Sequence, residues 1–106
     1  MAKDWKRSKA YQELREDLER NLVSMDLSGR VYQDKVEEYL DFWVLHQELL
    51  ADIRERGLTV MDERGRQSEN RSVSLAIQVS RQMLNIYTAL GFKSDGTKGG
   101  DVADEL

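Results

Sequence analysis

A chain of 106 residues has room for one compact domain and not for two of ordinary size. Its net charge of −4 is the wrong sign for a protein that coats nucleic acid indiscriminately. It has no cysteine, which excludes disulfides, thiolate metal sites and cysteine nucleophiles. Proline is also absent, so nothing of that kind interrupts long helices. The opening MAKDWKRSKAYQ is charged and carries no apolar run, so a secretory signal is not expected. No stretch approaches the ~18 apolar residues of a membrane span, and an intracellular protein is expected.

Residues 4–23 read as the first helix. Tyr11, Leu14, Leu18 and Leu22 fall in one stripe roughly 80° wide at about 100° per residue, so this helix docks by one narrow face. The sequence MDLSG breaks it. A second helix follows over 31–56 and stops at Gly57, a natural position for the residue just past a helix. Val36, Tyr39, Leu40, Phe42, Trp43, Leu49, Leu50 and Ile53 cover about half its circumference, which predicts two neighbouring helices rather than one. Opposite them run Asp34, Glu37, Asp41, Glu48, Asp52 and Glu55.

Residues 58–69 read as a short β-hairpin, with Thr59–Met61 and residues 66–68 flanking the turn-like DERG. Two strands alone are marginal, so the hairpin needs support from a helix or another subunit. A third helix over 72–91 begins at a cap on Asn70 or Ser72 and ends at Gly91, with Phe92 placed for the apolar contact of a Schellman motif. Residues 93–106 are Gly-rich and acidic and are expected to be a disordered tail after a single helical domain spanning 1–92. The predicted fold class is therefore all-α: three helices, a hairpin between the second and third, and an oligomeric state.

Charge is segregated along the chain. Residues 1–10 carry Lys3, Lys6, Arg7 and Lys9 against Asp4, whereas residues 31–63 hold nine acids against Lys35, Arg54 and Arg56. From 71 to 91 there is no Asp or Glu at all, although the chain has 20 of them. An apolar arc of about 200° on that helix, added to the wide arc of the second, exceeds what a lone three-helix protomer hides. Exposing several hundred Å² of such surface is unusual for a monomer. Self-association is expected, with Leu75, Val79, Gln82, Met83, Ile86, Leu90 and Trp43 as the candidate seam.

Catalytic signals are weak. His46, the only histidine, lies in the apolar arc of the second helix and reads as a core or interface residue. No HExxH or Glu-x-x-His pair exists, six acids on one helix face read as a solvated surface, and no cofactor or metal is expected. The basic clusters are the best ligand candidates. Lys3, Lys6, Arg7 and Lys9, interleaved with Trp5 and Tyr11, suit phosphates, the aromatics either packing or stacking. Arg64, Arg66 and Arg71 gather around the hairpin and would form a guanidinium edge unless Asp62, Glu63 and Glu69 neutralise them. Repetition of either cluster around an oligomer would multiply a weak contact.

EYLDFWVLHQELLADIRERGLTV, a short turn and ENRSVSLAIQVSRQMLNIYTALGF together resemble the small terminase subunits of tailed bacteriophages, P27 type. The shared features are a helix ending in D-I-x-x-R-G, a brief insert with a glycine, an Asn-x-Ser-Val helix start, and a Q-M-L-x-I-x-x-x-L-G close, over residues 31–93. The chain departs from the pattern where Gly91 leads into FKSDG instead of a proline-containing segment, and its N-terminal region carries no helix-turn-helix. The resemblance implies a non-enzymatic adaptor in the cytoplasm of the infected bacterial host. It would form a homo-oligomeric ring, recognise double-stranded phage DNA and deliver it to the large terminase subunit for genome packaging. Two other functions fit the composition. One is a dimeric interaction module acting through the acidic face around Glu37, Asp41 and Glu48. The other, a carboxylate metal enzyme, would require bound metal.

Overall fold

The computed structural model describes residues 3–92, and the tail expectation for 93–106 lies outside the described residues. A short 3₁₀ turn, Trp5–Arg7, precedes helix α1 (Lys9–Ser24). Helix α2 (Arg30–Arg56), strands β1 (Thr59–Met61) and β2 (Gln67–Glu69), and helix α3 (Arg71–Ala89) follow. Three helices with an antiparallel hairpin between the second and third are the arrangement the sequence predicts.

The first helix starts later than residue 4 because Ser8 caps it. The Ser8 hydroxyl accepts from the Tyr11 N–H at 3.1 Å and donates to the Trp5 carbonyl at 2.6 Å, closing the 3₁₀ turn against the helix start. At the other end, the Asp26 N–H donates to the Val23 carbonyl and the Leu27 N–H to the Leu22 carbonyl, at 3.0 and 2.9 Å. That pair of bonds is a Schellman motif, and the left-handed residue in it is Asp26, at φ 59°, rather than a glycine. Gly29 instead caps the start of α2 in an extended conformation. Gly57, at φ 86°, ends α2.

In the hairpin, Thr59 pairs with Glu69, Val60 with Ser68 and Met61 with Gln67. The Asp62 carboxylate builds the turn by accepting from the Arg64 and Arg66 N–H groups, each at 2.8 Å. Gly65, at φ 79°, adds the bulge residue, so β2 begins at Gln67 rather than at 66.

Helix lengths decide the packing. At 1.5 Å per residue, the 27 residues of α2 span roughly 40 Å, the 19 of α3 roughly 28 Å and the 16 of α1 roughly 24 Å. Helix α3 runs antiparallel along α2, with Ser72 beside Asp52 and the Tyr87 ring tilted against that of Tyr39 at 6.0 Å. Helix α1 covers the N-terminal half of α2, where Tyr11, Leu18 and Leu22 meet Val36, Leu40, Ile86, Leu90 and Phe92 in one core. Leu18, Leu22, Val36 and Leu40 are almost completely buried, each contributing about 1.5–3 kcal/mol. The broad arc of α2 thus has its two neighbours. The α1 helix is about 16 Å shorter than α2, however, and the C-terminal half of α2 has α3 alone.

Candidate nucleic-acid and assembly surfaces

The C-terminal end of α2 and the start of α3 meet in one polar knot. Asn70 is completely buried. Its side-chain oxygen accepts from the Ser72 N–H at 2.9 Å and so caps α3, while its amide nitrogen donates to the Gly57 carbonyl at 3.0 Å and to Asp52 at 3.2 Å. Asp52 also accepts a two-pronged bond from Arg56, at 2.7 and 2.9 Å, and one from the Ser72 hydroxyl at 2.7 Å. Arg56, then Ser72, hold the Asp52 carboxyl well below the usual carboxylate range. The Asn70 N–H donates to the Leu58 carbonyl at 2.8 Å. These are the residues of the D-I-x-x-R-G and Asn-x-Ser-Val stretches, and their work is mechanical: they clamp the base of the hairpin to the α2–α3 junction.

The clamp aims the hairpin tip outward. Arg64 and Arg66 come together there beside Met61, Asp62 and Glu63. Arg66 pairs with Asp62 at 3.4 Å with both side chains exposed enough for the pair to be weak, and Arg64 has no ion-pair partner among the described residues. Arg71 does not join them. It opens α3 at the hairpin base, and the three residues of β2 put roughly 10 Å between it and the tip. The single guanidinium edge expected of Arg64, Arg66 and Arg71 is therefore a pair at the tip and a separate cation at the base.

At the N-terminus the aromatics pack inward. Trp5 meets Trp43 edge-to-face at 6.0 Å, and Tyr11, buried, lies 5.9 Å from Trp43. Of the two roles open to these rings, packing is the one realised. The cations remain outside: Lys3 lies 4.3 Å above the Trp5 ring, and Lys9 is 3.8 Å from exposed Glu13. Lys6 and Arg7 make no ion pair among the described residues. The nearby carboxylate, Glu37, is taken by a forked bond from Arg15 at 2.6 and 3.0 Å, which lowers the Glu37 pKa and raises that of Arg15.

The acidic face of α2 is partly spent on such pairs, Asp34 with Arg30 and Asp52 with Arg56. Asp41, Glu48 and Glu55, spaced seven apart, have no ion-pair partner among the described residues. Among those residues, no three His, Cys, Asp or Glu side chains are grouped as metal ligands would be.

The expected seam on α3 needs correction. Val79, Ile86 and Leu90 are buried by the protomer's own helices, so none of the three is free for a neighbour, and Trp43 is half-buried against Trp5 and Tyr11. Met83 is half-buried, while Leu75 and Gln82 are exposed. The strongly exposed apolar side chains of α3 are Ile77 and Leu84, each 51% accessible, and neither belongs to the seam expected from the sequence. With Val73 and Ala76 they face Leu50, Ile53 and His46 of α2 across an open groove of about 600 Å³. Periodicity locates an apolar arc but not which edge of it the partner helix takes, and for that reason the sequence puts Val79, Ile86 and Leu90 in the seam although they pack within the protomer.

Comparison with curated proteins and with solved structures gives no match. A family model described as "Phage terminase, small subunit" matches residues 9–97, from the start of α1 through the whole of α3. By that match, which spans most of the chain, the protein belongs to the phage terminase small-subunit family.

Proposed function

We propose that this small subunit, of P27 type, is a non-catalytic adaptor that self-associates, binds double-stranded phage DNA and hands it to the large terminase subunit in the cytoplasm of the infected bacterium. Family membership over residues 9–97 is the observation that carries the reading. Support comes from the exposed cations. Lys6 and Arg7 at one site and Arg64 and Arg66 at another project from rigid supports, the first on the Trp5–Trp43 contact and the second on the Asn70 clamp. Such cations suit phosphates, and the inward packing of Trp5 and Tyr11 favours backbone contact over base stacking. The ring form and the identity of the large-subunit contact are part of the proposal.

The test is a titration of duplex DNA at several salt concentrations. The affinity should fall linearly on a log–log plot, and alanine at Lys6, Arg7, Arg64 and Arg66 should lower the slope by about 0.9 for each phosphate that a variant no longer neutralises. Absence of binding at low salt would remove DNA from the proposal. A second reading has one specific observation in its favour, the row of Asp41, Glu48 and Glu55, which have no ion-pair partner among the described residues. In that case the chain is a protein-interaction module, and reversing those charges abolishes partner capture while DNA has no effect.

A further inference from the structure

We propose that the α2–α3 groove receives the corner between α1 and α2 of a second copy of this chain, in a head-to-tail contact. This rests on the self-associating reading above and names its two faces. The groove exists because α1 runs out: past Trp43 no third helix among the described residues lies over α2 and α3, and Leu50, Ile53, Val73, Ile77 and Leu84 line an open trough. The one Lys or Arg among the described residues lining it is Arg81, and α3 carries no acid to oppose a carboxylate. At the far end of the molecule the corner has the reverse character. Val23, in the last turn of α1, is 80% exposed, and Val31, in the first turn of α2, is 67% exposed. Glu19 and Asp26 stand beside Val23, while Val31 is flanked by Arg30, which pairs with Asp34. Arg15 is committed to Glu37 and Arg20 to Asp17, and Glu16 and Asp26 have no ion-pair partner among the described residues.

An exposed apolar knob with acids along its α1 side is therefore matched to an exposed apolar trough edged by a base. A single chain cannot satisfy itself in this way. From Val31 to Leu50 the rigid α2 helix runs roughly 28 Å, and in a molecule measuring 56 × 32 × 23 Å that places knob and trough on opposite halves. The contact is heterologous, the type that closes into a ring when the rotation per step permits.

Crossed variants of the full-length chain test it, with mass read by light scattering. Ile77→Glu spoils the trough and leaves the knob, whereas Val23→Lys spoils the knob and leaves the trough. Both positions are exposed, so helical circular dichroism should be unchanged. Each variant alone should be monomeric. Their equimolar mixture should give a species of two chains and no larger one, because just one intact trough and one intact knob remain. If a variant loses its cooperative melt, Leu84→Glu and Val31→Lys replace it. The proposal is overturned if the wild type is oligomeric and either variant keeps the wild-type mass. A mixture that stays monomeric also overturns it, since an intact trough and an intact knob would then have failed to meet; a Val23→Lys variant that keeps the wild-type mass indicates trough-to-trough contact instead. A monomeric wild type overturns both this contact and the self-associating reading.

Discussion

Removing the Asn70 side chain should cost more than any other single polar change in the described fold. Asn70→Ala deletes the α3 cap, worth about 1 kcal/mol. It also leaves the Gly57 carbonyl without its partner, and a buried orphan costs about 1–3 kcal/mol. A total of about 3 kcal/mol follows, equivalent to a fall in Tm of roughly 15 °C for a domain of this size. Urea denaturation followed by circular dichroism measures it. The informative companion is Asn70→Asp. Aspartate caps as well as asparagine, so a capping role alone predicts no loss. Here its second oxygen would face the Gly57 carbonyl and the Asp52 carboxylate, acceptor against acceptor, and the loss at neutral pH should be at least as large as for alanine. Acidification should return part of it, since a protonated carboxyl can donate as the amide does. An Asn70→Asp variant within about 0.5 kcal/mol of the wild type at neutral pH would refute the clamp.

Three further outcomes follow from the same geometry. The folded Asp52 carboxyl lies below its unfolded value near 3.9, so its contribution is present above about pH 5 and is lost as pH falls; Asp52→Asn should flatten the acid limb of a stability–pH curve. Asp26→Gly should raise stability by about 0.5 kcal/mol, measured by urea midpoint, because glycine takes φ 59° without a Cβ penalty. Gly91→Ala should lower it by about 1–2 kcal/mol, since φ is 81°, a left-handed conformation that a Cβ disfavours.

Local pattern governs what is legible in the sequence. The α2 arc predicts two neighbours from spacing alone, DERG predicts the hairpin, and Gly57 and Gly91 mark the helix ends. Tyr87 and Phe92, 5.4 Å apart, make the apolar closure that their spacing around Gly91 implies. The misplacements share a cause in contacts distant along the chain. Trp5 is pinned to Trp43, far along α2, which draws the first residues out of the helix and leaves Ser8 to cap it. Val79, Ile86 and Leu90 of the expected seam are covered within the protomer because they turn toward α2 and the core, a choice that depends on the α2–α3 crossing and not on the period of α3. Asp52, Arg56, Asn70 and Ser72 stand in the sequence as helix-end residues, and only their convergence shows that they clamp the hairpin.

The mass of the wild-type chain in solution bears most directly on the account, because the proposed self-association is what would shield exposed Ile77 and Leu84. Light scattering across the micromolar range should return a defined multiple of the 12.3 kDa chain, stable to dilution. A single 12.3 kDa species over that whole range would contradict it.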